Sequence, residues 1–469
     1  MKNLLAWAAA AQGTLVGENR TVSRVCTDSR ALQAGDVFIA LKGPHFDGHD
    51  YLPQVAAAGA AAAVVERLDT SLVLPQILVA DAVVALGKIA HQWRVEHFHG
   101  TLFAITGSCG KTTVKGMLKS ICEQAGRTLA TAGNLNNHLG VPLTLMQLEP
   151  SHEYAVIEMG ASGRGEIAYL TALAAPDVAL VNNVQPAHVE GFGSLAGIRE
   201  EKLRIYSGLS AQGTAVFNLD EAYAQEARAQ IQALPQQKIG FSLQTAAPPG
   251  TPSCHLSQAA RLHRLPTGAW GFEWRLEESP IPIELAVLGK HSVANALAAA
   301  SMAYAAGIAP QEIQAGLALF SGEKGRMQAK IAPTGAILID DTYNANPGSV
   351  AAAIGYLAEC ASPRILVLGD MKELGHDALD EHRKIGQLAR QAGIDQLYTV
   401  GDLSYAASEA FGLGAAHFSN QAALVAELQP LLSRTAHCLV KGSRSAHMEH
   451  IVEGLMAFGA TLDRQSEHE

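Results

Sequence analysis

Between Thr101 and Leu118 the chain reads TLFAITGSCGKTTVKGML. An apolar run, Thr101–Thr106, breaks into a loop bearing Gly107 and Gly110, and a helical pattern opens on Lys111-Thr112-Thr113. That order of residue types builds a phosphate cradle: loop N–H groups wrap oxyanions, a lysine reaches the terminal phosphates and a hydroxyl holds magnesium. The expected ATP-binding residues are Thr106, Gly107, Ser108, Cys109, Gly110, Lys111, Thr112 and Thr113. Ile105 stands where the longer consensus has a first Gly, so the match is to the shorter form TGSxGKTT. Val114, Met117, Leu118, Ile121 and Cys122 recur at helical spacing as one apolar face, and Gly126 supplies the stop. The competing reading is an ordinary Gly turn with an exposed lysine. It is the weaker one, because strand, loop and helix are in register.

Further constellations follow. GNLNNHLGVPLTL places Asn134 in an Asn-rich turn, a pattern that usually just makes turns. The run YAVIE ends on Glu158, and strand ends of a doubly wound sheet open onto the ligand crevice, where a carboxylate can hold magnesium against phosphate. His188 lies just past the next apolar run and is either a second metal ligand or a structural histidine. Lys202 sits among Arg199, Glu200, Glu201 and Arg204, which by charge pattern alone reads as a solvated helix face. Arg326, in GEKGRMQ, and Asp341, in LIDDTYNANPGS, flank the first strand of a further α/β unit. They could close over a nucleotide bound to the preceding unit, and the turn residues Asn344 and Asn346, with Asn134, are expected to contact substrate.

The elements that must position these residues follow from composition and pattern. The chain has 469 residues, 48% hydrophobic and 17% charged, consistent with several well-buried domains. A net charge of −10 disfavours nucleic acid or anionic membrane as a general partner. Cys26, Cys109, Cys122, Cys254, Cys360 and Cys438 are scattered, with neither disulfide nor zinc spacing. The start, MKNLLAWAAAAQG, reads as a short amphipathic helix leading into a strand rather than a signal peptide. Stable membrane insertion is not expected; a cytoplasmic monomer is. Short runs at Val37–Leu41, Ala62–Glu66 and Gln76–Val79 form a first region. Strand-like runs alternating with helices imply a doubly wound sheet in the second, and the same grammar repeats in the third. The fold expected is α/β with three domains. Residues 1–80 form a small α/β N-terminal domain, 81–318 a central doubly wound P-loop ATPase-type domain, and 319–469 a C-terminal Rossmann-like α/β domain.

TGSCGKTT, GNLNNHLGVPLTL, IEMGASGRGEI, NNVQPAHVEGFGS, the Lys202 segment, GKHSVANALAAA, GRMQ and DDTYNANPGS occur in an order that resembles the Mur ligase family. The resemblance covers nearly the whole chain. It implies an ATP- and Mg2+-dependent amide ligase of peptidoglycan precursor synthesis, working through an acyl phosphate. YNANP, LGDMKELG and KGSRSAHME resemble the branch that adds D-alanyl-D-alanine to UDP-N-acetylmuramoyl-tripeptide. Carried over by motif, Lys111 contacts terminal phosphates, and Thr112, Glu158 and His188 resemble metal ligands. Lys202 matches a lysine carbamylated in much of the family, which would make it a metal-holding anion and overrides the solvated-face reading. The resemblance further implies an adenine contact for Asn295 and nucleotide contacts for Arg326 and Asp341. Ser29, Arg30, Lys42, Phe46 and Asp47, within TDSRALQAGDVFIALKGPHFDGHDY, look like UDP-sugar contacts. Catalytic roles are expected of Lys111, Glu158, His188 and Lys202. The alternatives are a relative adding a diamino acid or glutamate, a non-catalytic nucleotide switch and a dinucleotide oxidoreductase. The absence of a DNPR-like stretch argues against the diaminopimelate adder. The Lys-Thr-Thr of the phosphate loop argues against the oxidoreductase.

Overall fold

A computed structural model of the chain describes residues 3–22, 24–186, 189–244, 251–276 and 279–457. Three sheets carry the architecture. In the first, the strands Gln76–Leu78, Ala62–Val65, Val37–Ile39 and Val25–Cys26 are parallel, and Thr14–Val16 adds an antiparallel edge. The expected N-terminal helix, Leu4–Ala11, buries Leu4 and Trp7 against this sheet. The helix Ala82–His97, capped by Asp81 accepting from the Val84 amide, serves two units at once. Ala82, Ala85, Leu86 and Ile89 pack into the first core. On its later turns, Trp93 Nε1 donates to the Leu148 carbonyl (3.0 Å) and Arg94 Nη2 to the Ala175 carbonyl (2.9 Å) of the central unit.

The central sheet has nine strands. Parallel pairing runs from the edge strand Thr128–Ala130 through Tyr154–Glu158, Thr101–Thr106, Val178–Val181, Thr214–Asn218 and Gln237–Ser242 to His255–Arg264. Trp270–Arg275 and Ile281–Glu284 then extend it antiparallel. The phosphate-loop strand lies third from one edge, with strands on both sides and cover on both faces, which is why its sequence is continuously apolar instead of alternating. Register places Glu158 opposite Ile105 and Val181 opposite Thr106. Three strand ends therefore open side by side.

The helix that follows the loop, Lys111–Ala125, lies against His291–Ala305 and Pro310–Leu319. Small residues permit this approach. Ala296, Ala299, Ala300 and Ala303 are fully buried on the first partner, and on the second Ser120 Oγ donates to the Gly316 carbonyl at 2.7 Å.

The C-terminal sheet runs in the order Gln328–Ile331, Ile337–Asp341, His437–Lys441, Arg364–Gly369, Gln396–Val400, Ala415–Phe418, all parallel except the first. The last strand in sequence inserts between the earlier ones, so Asp341 and Lys441 end in register beside each other.

A Cβ at position 316 would lie 2.3 Å from Ile121 Cα, a backbone atom that cannot step aside. Gly316→Ala is expected to cost about 1–3 kcal/mol by overpacking, read as a lowered denaturation midpoint. An unchanged midpoint would show that the contact between the two helices is not close-packed in solution.

Candidate functional site

A cavity of about 580 Å³ opens where the carboxyl ends of the central and C-terminal sheets face each other. Gly107 to Thr113, Asn134, Glu158, Lys202, Asn295, Arg326, Asp341, Asn344 and Asn346 all line it, so most of the residues expected from the sequence converge. Thr106 sits beneath the loop, fully buried, donating to the Met159 carbonyl (2.9 Å). His188 lies outside the described residues.

The loop is held by the neighbouring strand end. Asn183 Oδ1 accepts from the Cys109 amide (2.8 Å), and Asn182 Nδ2 donates to the Cys109 carbonyl (3.0 Å) and to Asn295 Oδ1 (3.1 Å). Gly110, at φ +77°, opens the helix in the left-handed region, and a Cβ there would meet Asn295 Oδ1 at 2.6 Å. The Lys111 ammonium folds back onto the Gly107 carbonyl (2.8 Å), and desolvation lowers its pKa, partly opposed by Glu158.

Glu158 is 2% exposed. Its Oε1 accepts from Asn136 Nδ2 (2.8 Å), and its backbone amide donates to Thr131 Oγ1 (3.0 Å). Its Oε2 is buried with no hydrogen-bond partner and faces Lys115 Nζ at 4.0 Å. A buried carboxylate oxygen left over in this way suits a hard dication, as does the Thr112 hydroxyl on the same cavity. Among the described residues, no group of three or more His, Cys, Asp and Glu side chains forms a ready-made metal cluster.

Lys202 is 4% exposed, so the solvated helix face suggested by its charged neighbours is not what forms. The charges divide. The Glu201 carboxylate turns inward and takes the Gly165 and Ile167 amides (2.8 and 2.7 Å), capping the helix Glu166–Ala174, while Arg199 pairs outward with Glu226. Burial, reinforced by the charge of Lys111, lowers the Lys202 pKa to about 7.

The C-terminal unit reaches across. Arg326 Nη2 donates to Thr112 Oγ1 (2.9 Å), and the guanidinium lies 4.2 Å from the Tyr343 ring centroid. Asn346 Nδ2 stands 3.1 Å from Cys109 Sγ, and its Oδ1 caps the helix Pro347–Ala358. Asp341 pairs with Lys441 (2.5 Å), which also donates to the Asn344 carbonyl (3.0 Å). Asn136, Lys115, Asn182, His291, Tyr343 and Lys441 were not singled out from the sequence. His291 and Lys441 lay inside quoted motifs, GKHSVANALAAA and KGSRSAHME, and Lys115 falls four residues after Lys111 on the same helix face.

Ser29, Arg30, Lys42, Phe46 and Asp47 do not line this cavity. They sit past the carboxyl ends of the first sheet's strands. Arg30 pairs with Asp28 (2.8 Å), Lys42 with Glu66 (2.6 Å), and Phe46 is exposed. Asp47 accepts from the His49 amide and ring and from Arg67, and these bonds, the His49 amide foremost, hold its pKa at about 2.

Three family descriptions match the chain in succession. "Mur ligase family, catalytic domain" covers residues 21–94, "Mur ligase middle domain" 105–303, and "Mur ligase, glutamate ligase domain" 325–444. The UDP-N-acetylmuramoyl-tripeptide–D-alanyl-D-alanine ligase of Escherichia coli is 41% identical over 95% of this chain and 96% of its own length. Its counterpart from Bacillus subtilis is 32% identical over 95% and 96%. Among solved structures, MurF from Acinetobacter baumannii superposes with a TM-score of 0.88 at 34% identity, covering 96% of this chain and 98% of that one. The MurF ligase of Thermotoga maritima in complex with ADP gives 0.83 at 26%, covering 93% and 97%.

Gly110→Ala would force a side chain into the left-handed region, at about 1–3 kcal/mol, and against Asn295. ATP-analogue affinity, measured by titration calorimetry, is expected to fall at least about tenfold. Affinity equal to that of the native chain would remove the loop from the phosphate site.

Proposed function

This chain belongs to the Mur ligase family, and from that premise we propose that it joins D-alanyl-D-alanine to UDP-N-acetylmuramoyl-tripeptide at the expense of ATP, in cytoplasmic peptidoglycan precursor synthesis. The supporting observation is one cavity, shared by two α/β units, in which Lys111, Glu158, Lys202 and Arg326 converge on a phosphate loop. The likeness to D-alanyl-D-alanine-adding relatives runs through all three domains. No helix among the described residues is long and apolar enough to cross a membrane.

The reaction has two steps. The C-terminal carboxylate of the tripeptide attacks the γ-phosphorus of ATP, releasing ADP and converting a poor electrophile into an acyl phosphate. The amine of D-alanyl-D-alanine then adds to that carbonyl, and the tetrahedral intermediate expels phosphate to leave an amide. Both steps bring anions or developing charge together, so cations and fixed dipoles must screen and align them. Lys111 and Arg326 bring positive charge from opposite sides of the cleft. Loop amides between Gly107 and Thr113 receive the polyphosphate, Asn295 packs under the loop toward the adenine, and Asp341 serves the ribose. Asn134, Asn344 and Asn346 supply neutral polar contacts to the substrates. Bound Mg2+ would neutralise phosphate charge, and Thr112, Glu158, carbamylated Lys202 and, by the family resemblance, His188 are the residues proposed to hold it. Ser29, Arg30, Lys42, Phe46 and Asp47 are assigned to the UDP-sugar. Residues 1–80, 81–318 and 319–469 divide the work into substrate, ATP and ligation domains, within a monomer.

Carbamylation needs an uncharged amine: Lys202 Nζ attacks CO2, forming an N–C bond and releasing one proton. With a pKa near 7, Lys202 is mainly ammonium below that pH and mainly free amine above it. The carbamylated fraction therefore rises as pH rises through 7.

With ATP and the UDP-tripeptide, ADP release is expected with D-alanyl-D-alanine and not with free diaminopimelate or glutamate. Lys111→Ala is expected to cost about 10³-fold in kcat. Turnover with the free amino acids alone would replace the dipeptide as acceptor, and an unimpaired Lys111→Ala would discard the phosphoryl-transfer scheme.

At fixed dissolved CO2, activity is expected to climb between about pH 6 and about pH 8 and to drop when CO2 is stripped. Protein equilibrated with 13C-labelled CO2 should show a carbamate resonance that Lys202→Arg lacks. A CO2-independent rate with no such resonance would leave Lys202 an unmodified cation.

A further inference from the structure

Lys115 is a buried lysine for which the ligation chemistry proposed above has no use. It is 5% exposed and sits on the phosphate-loop helix four residues after Lys111, the same face one turn on. Yet it does not line the nucleotide cavity. Its neighbours Val114, Met117 and Leu118 are core residues. A charged side chain is costly there unless an opposite charge shares the interior. The opposite charge is Glu158. The Lys115 ammonium stands 4.0 Å from Glu158 Oε2, the oxygen that no hydrogen bond satisfies, whereas Oε1 is fixed by Asn136 at 2.8 Å. Glu158 is thus held by one neutral donor, lies within the field of Lys111 and is faced by Lys115 set back beyond hydrogen-bonding distance.

We infer that Lys115 is a positioning residue, an internal counter-charge that holds the Glu158 carboxylate in place at the cavity wall and weakens its hold on a divalent cation. The inference rests on the assignment of Glu158 to the metal. The carboxylate needs a counter-ion while the cavity holds no metal, or its burial goes uncompensated. A cation at hydrogen-bonding distance would tie up the one carboxylate oxygen that Asn136 leaves free. At 4.0 Å the ammonium compensates the charge without occupying the lone pairs, and it remains close enough to repel an arriving dication. A metal that must bind with ATP and depart with products gains from such an opposing charge, because the acidic ligand alone would hold it too firmly. Lys111, Lys202 and Arg326 line the cavity themselves, and they are assigned above to the phosphates or, for carbamylated Lys202, to the metal. Lys115 touches neither phosphate nor metal in this scheme and acts from behind Glu158, by holding its carboxylate and by the field it adds there.

The test is Mn2+ binding to the full chain with a saturating non-hydrolysable ATP analogue, followed by the loss of the free-ion EPR signal. In Lys115→Met, a neutral side chain of similar length, Mn2+ affinity is expected to rise at least about tenfold, the scale of one charge acting on a dication through a protein interior. Lys115→Gln should shift it in the same direction, and Lys115→Arg should restore native affinity. Glu158→Gln should weaken binding, and in the Glu158→Gln background the Lys115→Met effect should shrink, as a coupled pair requires. Unchanged or weaker Mn2+ affinity in folded Lys115→Met and Lys115→Gln, with Glu158→Gln still weakened, would overturn the role of Lys115 alone. Native affinity in Glu158→Gln would instead overturn the assignment of Glu158 to the metal.

Discussion

Parallel register between three central strands is the constraint on which the site depends. Because Glu158 pairs opposite Ile105 and Val181 opposite Thr106, the phosphate loop, the buried carboxylate and the Asn182-Asn183 clamp emerge at one level of the sheet. A slip of one residue would turn each side chain to the opposite face. The slip is prevented by burial on both sides of the Thr101–Thr106 strand and by cross-links at the strand ends, such as Thr106 to the Met159 carbonyl and Asn183 to the Cys109 amide. Chemistry here is a property of strand ends, and packing far below the cavity sets where those ends lie.

Charges of both signs meet inside this frame. Lys111, Lys202 and Arg326 share the cavity wall with Glu158, Asp341 and other carboxylates, and Lys115 stands behind Glu158. Three of these cations are held by something other than a full ion pair. Lys111 reaches a loop carbonyl, Arg326 the Thr112 hydroxyl and the Tyr343 ring, and Lys202 takes a depressed pKa. These arrangements are weaker than ion pairs. An incoming polyphosphate can replace them, which is what a site for several anionic groups requires.

The division of the cavity between two sheets gives the molecule a second constraint. The Gly-rich loop belongs to one unit, whereas Arg326, Asp341 and Asn346 belong to another. Bonds from Arg326 to Thr112 and between Asn346 and Cys109 hold the two together. The N-terminal unit is joined differently, through the helix Ala82–His97, whose early turns pack in one core and whose later side chains bond to the other.

Local patterns made much of this legible. The Gly-Lys-Thr-Thr loop, the strand-end Glu158 and the Arg326 and Asp341 segments announce themselves by residue type and spacing, because phosphate binding and strand ends impose local chemistry. The alternation of apolar runs and helical stretches was enough to expect three α/β units. Tertiary structure alone decided whether a charge faces water or protein. Lys202 and Glu201 sit in a charged run indistinguishable from a solvated helix face, and only the fold turns both inward while Arg199 and Arg204 remain at the rim. Lys115 was hidden for the same reason. Periodicity reports which face of a helix is apolar, but the partner that makes a buried lysine tolerable lies forty-odd residues away, on a strand brought alongside by sheet register.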